Sequence, residues 1–202
     1  MLTLNNLSLF KDDKKIFTNL GLSISLSSAL IITGKNGCGK SSLLKIIAQI
    51  SKPSAGEILW GSVNVEEFLS DFTGDLQYLG HKNFLKPQLT VLENLQFFAR
   101  LADTENALMP AINFFELEEF LNRKVSTLSA GLQKRVQLAK LLACPSTIWI
   151  LDEPSINLDK KWREKFHDLI AQRIKEDALI ILASHDEIFF DLGIKLNLES
   201  YN

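Results

Sequence analysis

Two patterns of hydrophobic and polar residues divide this chain. Near the N-terminus, apolar and polar side chains alternate in Leu2-Thr3-Leu4, in Leu7-Ser8-Leu9 and again over residues 22–27. Such alternation is typical of half-buried antiparallel strands, so we predict a first strand that ends near Phe10 and a second over 22–27. The mixed charges of residues 11–15 predict a solvated turn between the two strands.

Continuous apolar runs elsewhere in the chain indicate another kind of strand. Residues 29–32, 148–151 and 178–183 do not alternate and consist almost entirely of bulky apolar side chains and alanine. Strands of a parallel sheet are buried on both faces and have this composition, so we predict three buried strands, of which the second and third run parallel. Shorter strands are predicted over 57–60, 76–79 and 196–198.

Helical patterns fill most of the region from residue 82 to residue 145. Thr90-Val91-Leu92-Glu93 has the form of a capping box and opens a predicted helix that ends near Leu101. Another helix is predicted over 111–121, with Pro110 interrupting the chain before it. Further helices are predicted over 41–50, 129–143 and 160–174. The prediction is an α/β protein with an antiparallel β subdomain and a helical insertion at 82–145.

The segment Gly34–Ser41 fits the phosphate-loop pattern G-x-x-x-x-G-K-[ST], and it lies between a predicted strand and a predicted helix. Glycines let successive backbone N–H groups converge on phosphate oxygens, and the helix N-terminus adds partial positive charge. Lys40 is predicted to reach the β- and γ-phosphates and the Ser41 hydroxyl to bind Mg²⁺. A glycine-rich turn without a ligand is the alternative. The predicted nucleotide-binding residues are Gly34, Lys35, Asn36, Gly37, Cys38, Gly39, Lys40, Ser41 and Ser42.

Acidic and imidazole side chains follow two of the buried strands. Asp152 and Glu153 come directly after residues 148–151. On the phosphoryl-transfer pattern of a P-loop NTPase core, Asp152 is predicted to hold Mg²⁺ and Glu153 to polarise an attacking water as general base. The alternative is an acidic pair that caps a strand before Pro154. His185 follows the other strand and is predicted to donate a hydrogen bond near the γ-phosphate.

The segment Leu128–Arg135 allows two interpretations. Ser129 has the composition of a helix N-cap, and Val136 falls on the predicted buried face. The same helix N-terminus could bind an anion through the Ser129 hydroxyl and the amides of Ala130 and Gly131.

Composition narrows the class of protein. The 202 residues are 46% hydrophobic and 23% charged, with a formal net charge of −2, so the chain has no basic character that would indicate a nucleic-acid partner. The two cysteines are too few for a disulfide framework, and we expect them to be reduced in a cytosolic compartment. The first residues do not have the pattern of a signal peptide, and no apolar run approaches the ~20 residues of a membrane span.

These motifs, in this order, resemble the ATP-binding cassette (ABC) ATPases, and the resemblance covers the chain as a single domain, 1–202. In that family the LSGGQ signature of one subunit closes on ATP held by the P-loop of another. The resemblance therefore implies a head-to-tail pair of this chain, with Ser129, Ala130 and Gly131 acting in trans.

The resemblance also implies two further binding elements. Asp159 falls in the family's D-loop, within Ser155-Ile156-Asn157-Leu158-Asp159. An aromatic side chain from the end of the first strand stacks on adenine in the family, and Phe10 is the first candidate for that role, with Phe17 the second.

The chain departs from the family pattern at two places. Ala130 and Leu132 stand where the signature has Gly and Gln, and Gln133 follows. His81 stands where the family usually has the glutamine of the Q-loop, after Tyr78-Leu79-Gly80. Its imidazole is a further candidate for the Mg²⁺ site.

The sequences YLGH at 78–81 and LSAG at 128–131 resemble one branch of the family, the ATP-binding subunits of the cytochrome c maturation (haem export) system, or CcmA family. That resemblance implies an ATPase with ATP and Mg²⁺ as cofactors, bound peripherally at the cytoplasmic face of the inner membrane. It implies a multi-span, CcmB-like membrane subunit as partner and a role in haem export or release. Two alternatives stay open: the ATP-binding subunit of another ABC transporter, and a soluble P-loop kinase or nucleotide switch.

Overall fold

The computed structural model of the protein describes residues 1–12 and 14–201. The chain divides into two compact units. Unit 1 comprises residues 1–81, 147–154 and 164–202, and unit 2 comprises residues 82–146 and 155–163.

Unit 1 contains two β-sheets built from nine strands of the described residues. The strands are β1 (Leu2–Lys11), β2 (Lys14–Ile24), β3 (Ser28–Thr33), β4 (Ala55–Trp60), β5 (Val63–Asn64), β6 (Leu76–Leu79), β7 (Ile148–Asp152), β8 (Leu179–Ala183) and β9 (Ile194–Asn197). The helices of the protein are α1 (Lys40–Ile47), α2 (Leu69–Gly74), α3 (Val91–Leu101), α4 (Leu108–Phe114), α5 (Ala130–Ala143) and α6 (Lys160–Lys175).

The first sheet is antiparallel, as the alternating pattern predicts, in the order β2-β1-β4-β5. The predicted turn over 11–15 is wrong for most of its length, since Phe10 pairs with Lys15 and Lys11 with Lys14. Strand β2 lies at the sheet edge, where lysine side chains can face solvent and protect the edge from further pairing. Of the predicted turn, Asp12 adopts a turn conformation with φ +47°, and Asp13 lies outside the described residues.

The second strand also ends earlier than its pattern predicts. It stops at Ile24, and Ser27 adopts a positive φ of 57° in the turn that leads into β3. The alternation of residues 22–27 thus continues past the last paired residue. A pattern of side chains does not by itself mark where a strand loses its partner.

The second sheet is parallel, in the order β6-β7-β8-β3-β9. Every residue of β7 and β8 is buried, which confirms the prediction for the two apolar runs. Ala183 pairs with both Asp152 and Ile32, so the carboxyl ends of β7, β8 and β3 lie side by side. We call this the loop edge of the sheet. Side chains that follow these strands are brought together there.

Helix α1 packs into the hydrophobic core of unit 1. Its residues Leu43, Leu44, Ile46 and Ile47 are fully buried in a cluster with Ile150 of β7 and Ile181 of β8. The helix that leaves the phosphate loop is therefore held against the centre of the parallel sheet by apolar burial. This contact keeps the N-terminus of α1 in place.

Unit 2 contains α3, α4 and α5. Helix α4 spans Leu108–Phe114, so the prediction that Pro110 interrupts the chain before a helix over 111–121 is wrong. Pro110 is the third helical residue, where the missing N–H has no partner inside the helix to lose. The helix ends at Phe114, Phe115 is its C-cap residue, and Glu116 follows with a positive φ of 51°.

No helix among the described residues is both long enough and apolar enough to cross a membrane.

The capping box at the start of α3 is confirmed. The Glu93 N–H donates to Thr90 Oγ1 at 3.2 Å, and the Thr90 N–H donates to Glu93 Oε2 at 2.7 Å. These hydrogen bonds from Thr90 lower the pKa of Glu93, because they favour the charged carboxylate.

The Thr90→Ala substitution is expected to lower the free energy of unfolding by about 1 kcal/mol, because the Glu93 N–H loses its capping acceptor. Urea denaturation followed by circular dichroism measures the change. Thr90→Ser is the matched control, since it keeps the hydroxyl and should retain most of the stability. An equal loss in both variants would show that the methyl group of Thr90, and not the cap, supports the helix.

Candidate active site

The phosphate loop in unit 1 is shaped by a glycine at the start of α1. Gly39 is the N-cap residue and has φ +109°, a conformation that side chains strongly disfavour. A Cβ at this position would lie 2.5 Å from the Ile16 side chain, so there is no room for a larger residue. No side chain of the described residues caps α1, and its first turn carries no acidic residue. The helix N–H groups can therefore bind an anion.

Lys40 lies at the centre of this loop and is only 7% exposed. Its Nζ donates to the carbonyl oxygen of Gly34 at 2.6 Å and to that of Lys35 at 3.3 Å. The same ammonium group is 2.9 Å from His185 Nε2. The fold thus brings the two predicted site residues into direct contact across 145 positions of the chain.

His185 also faces the loop and the acidic pair. Its Nε2 is 3.2 Å from Asn36 Oδ1 and 3.7 Å from Glu153 Oε1. The His185 side chain is 51% exposed and the Glu153 side chain 16%, so the pair stands between the protein interior and solvent. An imidazole in this position can donate to or accept from a group that enters the loop.

Asp152 and Glu153 have different environments although they are adjacent. Asp152 is the last residue of β7 and is 3% exposed. Glu153 has φ +48°, and its N–H donates to the Ala183 carbonyl at 3.0 Å. A left-handed backbone is uncommon for a residue with a side chain, and such strained residues concentrate at functional sites. The conformation lets the chain leave β7 with the Glu153 carboxylate on the side of His185.

Other residues predicted to bind nucleotide surround Lys40. Cys38 is buried, and Lys35 is exposed with its Nζ 3.8 Å from Glu199. Ser42 accepts a hydrogen bond from Lys11 Nζ at 3.1 Å. Asn36, Gly37 and Ser41 are exposed as well.

The two aromatic candidates for adenine stacking differ in exposure. Phe10 lies near the end of β1 and is 47% exposed, so its ring can stack on a base. Phe17 is fully buried in the core of unit 1, close behind Gly39. Phe17 is therefore a core residue, and the prediction of adenine stacking stays with Phe10.

Tyr78 is a residue that sequence reasoning missed. It lies on β6, and its hydroxyl is buried with no hydrogen-bond partner in the part of the chain that the structure describes. Burial, with a smaller contribution from the negative charge of Asp152, raises the pKa of Tyr78 to about 12. The sequence signal that could have revealed it is the alternation of side chains along β6. Tyr78 stands two residues before Gly80, and its side chain is on the face of the sheet that also carries Asp152.

The residues present fit a magnesium ion. The Ser41 hydroxyl and the Asp152 carboxylate are hard oxygen donors, and Mg²⁺ usually takes one or two such protein ligands together with phosphate oxygens. Within residues 1–12 and 14–201, no cluster of three or more His, Cys, Asp and Glu side chains is arranged to hold a metal by itself. The buried Tyr78 hydroxyl, whose pKa burial and, to a smaller extent, the Asp152 charge raise, is a hydrogen-bond donor in the same unit. His81 follows Gly80 and is exposed.

In unit 2, Ser129 is the N-cap of α5, and its hydroxyl accepts a hydrogen bond from the Leu132 N–H at 3.3 Å. This confirms the predicted helix start. Ala130 is exposed in the first turn, whereas a Cβ on Gly131 would lie only 2.9 Å from the Asn157 carbonyl oxygen. Glycine at 131 therefore allows the helix N-terminus to approach the D-loop closely.

Two polar residues close to the signature segment have structural roles. Gln133 has a structural role, since its Nε2 donates to the Val125 and Leu128 carbonyls at 3.2 and 3.1 Å. Asp159 caps α6 by accepting from the Trp162 N–H at 2.9 Å. A cavity of about 420 Å³ opens beside the N-terminus of α5, with Ser129, Gly131, Asn157 and Asp159 among its walls.

The comparisons with known proteins agree with this geometry. Residues 17–156 match the ABC transporter family. A cytochrome c biogenesis ATP-binding export protein, CcmA, from Rickettsia bellii is 38% identical over 187 residues, which cover 93% of this chain and 94% of the relative.

Solved structures show the same fold. A putative ABC transporter ATP-binding protein from Pyrococcus furiosus has a TM-score of 0.86 and 28% identity, with 100% of this chain and 98% of that chain covered. A dimeric ATP-binding cassette in a post-hydrolysis state, bound to ADP and Pi, has a TM-score of 0.84 and 27% identity over 98% of this chain and 95% of that one. The chain therefore belongs to the ABC transporter family, as an ATP-binding subunit that hydrolyses ATP.

Proposed function

We propose that this chain hydrolyses ATP to drive haem export or release for cytochrome c biogenesis. One observation carries the specific part of the proposal: a relative named as a cytochrome c biogenesis ATP-binding export protein is similar over 93% of the chain. The YLGH sequence at 78–81 and the LSAG sequence at 128–131 support the same branch of the family.

The roles proposed for the site follow from its contacts. The Lys40 ammonium group contacts a loop carbonyl and His185. When a nucleotide enters, it can exchange these partners for phosphate oxygens. Ser41 and Asp152 would hold Mg²⁺, which neutralises charge on the phosphates when bound. Phe10 would stack on adenine.

Glu153 is proposed as the general base. Its carboxylate is mostly buried, lies next to the magnesium ligand Asp152 in sequence, and is 3.7 Å from His185. A carboxylate in this position can accept a proton from the water that attacks the γ-phosphate. His185 would hold the γ-phosphate, and its contact with Lys40 keeps both groups at the entrance of the loop.

Glu153→Gln is expected to keep ATP binding and to reduce the hydrolysis rate by about 10²–10⁴-fold, because the amide cannot accept the proton. Binding is measured by calorimetry and turnover by phosphate release. Glu187→Gln is the matched control, since Glu187 is an exposed acid two residues after His185. Turnover of Glu153→Gln at the rate of the unsubstituted protein would refute the assignment of the base.

A second copy of this chain is proposed to complete the site. The N-terminus of α5 carries no acidic residue in its first turn, and the amides of Ala130 and Gly131 point out of the helix start as anion donors. A dimeric cassette is among the solved structures that this chain resembles. In the proposed head-to-tail pair, Ser129, Ala130 and Gly131 of one copy close on the γ-phosphate held by Lys40 of the other.

Ser129→Arg is expected to leave nucleotide binding by the monomer unchanged and to prevent nucleotide-dependent dimerisation, since a large cation would fill the contact. Light scattering after size-exclusion chromatography measures the dimer, and calorimetry measures binding. Ser126→Arg, which places the same charge three residues away on an exposed position, is the control. Dimers of Ser129→Arg that hydrolyse ATP with undiminished cooperativity would contradict a site made in trans.

The proposed partner is a multi-span membrane subunit of the CcmB type, to which this chain binds peripherally at the inner face of the cytoplasmic membrane. The match of the chain to the ABC transporter family and its similarity to a relative named as an ATP-binding export protein support this proposal.

The role in cytochrome c biogenesis is tested in the source organism. Replacement of the native gene by the Glu153→Gln variant is expected to lower the amount of haem covalently bound to c-type cytochromes, measured by haem staining. Affinity purification of the tagged variant should also recover the multi-span subunit. A normal amount of cytochrome-bound haem, with a membrane subunit still recovered, would assign the chain to an ABC transporter with another substrate.

A further inference from the structure

The Tyr78 hydroxyl occupies a place in the fold that the proposed chemistry has not used. Tyr78 pairs with Ile150 of the neighbouring parallel strand, two residues before Asp152. Because side chains alternate along a strand, Ile150 and Asp152 lie on one face of the sheet, and Tyr78 lies on that face beside them. The Tyr78 ring thus packs on the core cluster that contains Ile150.

The ring extends towards the loop edge because Gly80 has no side chain. A Cβ at position 80 would lie 2.8 Å from Tyr78 Cε1 and 3.0 Å from its hydroxyl oxygen. The phenol therefore lies along the backbone of Gly80 and extends towards the carboxyl end of β6. The neighbouring strand β7 runs in the same direction and ends at Asp152. Leu79 pairs with Leu151, so Gly80 and Asp152 are the next residues along the two neighbouring strands.

This hydroxyl is buried, and the structure gives it no hydrogen-bond partner among residues 1–12 and 14–201. A buried hydroxyl without a partner is unfavourable, and a phenylalanine would fill the same space without that cost. A phenol O–H is a hydrogen-bond donor, so this group can donate to an acceptor that comes within reach. We therefore expect the Tyr78 hydroxyl to gain a hydrogen-bond acceptor when nucleotide and metal are bound.

We propose that Tyr78 is a positioning residue of the magnesium site, whose hydroxyl donates a hydrogen bond to a water in the Mg²⁺ coordination shell beside Asp152. The inference rests on the Mg²⁺ proposed above. Mg²⁺ keeps several of its waters when it binds to proteins, and groups that hydrogen-bond to such ligands orient the coordination shell. Tyr78 would act through the metal-bound water and would not touch the phosphates.

Tyr78→Phe tests the inference, because it removes the hydroxyl and preserves the ring. The variant is expected to need about 10-fold more Mg²⁺ for half-maximal hydrolysis at fixed ATP, the size of effect typical for groups that hold metal-bound ligands. Its affinity for ATP in the presence of a metal chelator should equal that of the unsubstituted protein. Tyr201→Phe is the matched control, since Tyr201 is the other tyrosine of the chain and also packs against the unit 1 core.

A spectroscopic measurement separates positioning from packing. In the Tyr201→Phe protein labelled with 3-fluorotyrosine, Tyr78 contributes the single fluorine resonance. That resonance is expected to shift on addition of ATP with Mg²⁺ well beyond any shift caused by ATP with a chelator, because the hydroxyl acquires its acceptor together with the metal.

The outcomes distinguish this inference from the proposal on which it rests. Two results would overturn the role of Tyr78 and leave the metal requirement intact. One is a Tyr78→Phe protein with the Mg²⁺ dependence of the unsubstituted protein. The other is a fluorine resonance that does not respond to Mg²⁺. Full hydrolysis by the unsubstituted protein in the presence of a chelator overturns the magnesium site itself, and Tyr78 with it.

Discussion

The parallel pairing of β3 and β7 with β8 is the constraint on which the rest of unit 1 depends. Ala183 of β8 is opposite Ile32 on one side and Asp152 on the other. In a parallel sheet the strands end at the same edge, so the segments that follow them meet there. The phosphate loop, the Asp152-Glu153 pair and His185 come from distant parts of the sequence and become neighbours through this register.

Backbone hydrogen bonds extend this register into the site. The Glu153 N–H donates to the Ala183 carbonyl, and the Ser184 N–H donates to the Ile32 carbonyl. These two bonds continue the ladder for one step beyond the strands, and they hold the first residues of both loops in place. The left-handed backbone of Glu153 is tolerated because the buried ladder on either side over-determines its position. A carboxylate on a rigid strand end is held more accurately than one on a free loop.

Both proposed phosphate-binding elements use the start of a helix, but they are built differently. The N-cap residue of α1 is Gly39, which has no side chain to cap the helix. The N-cap residue of α5 is Ser129, whose hydroxyl accepts a hydrogen bond from the Leu132 N–H. The first arrangement leaves the amides open to a nucleotide in the same chain. The second is complete as a helix start, and only the amides of its first turn remain for a phosphate that another copy presents.

Short-range patterns determined much of this protein. The capping box at Thr90 and Glu93, the N-cap at Ser129 and the phosphate loop before α1 each depend on residues no more than seven positions apart, so they can be read from the sequence. The buried strands β7 and β8 were also predictable, since burial on both faces requires an uninterrupted apolar run. The turn over residues 11–15 was predicted wrongly because the partner strand decides where strand pairing ends. The effect of Pro110 was predicted wrongly because its position within the helix decides whether it interrupts the helix.

Only the tertiary structure decided which of these elements act together. The contact of Lys40 with His185, the buried position of Phe17 against the exposed Phe10, and the approach of Gly131 to the Asn157 carbonyl depend on register and packing between distant segments. The Tyr78 hydroxyl is the clearest case. Its residue type and strand were evident from the sequence. The burial of its hydroxyl follows from the pairing of β6 with β7 and from the space that glycine leaves at position 80. The sequence by itself determined the local elements and the nucleotide chemistry, because those depend on residues that are close together along the chain. The sheet decided the geometry of the site, because parallel pairing joins residues that are far apart along the chain.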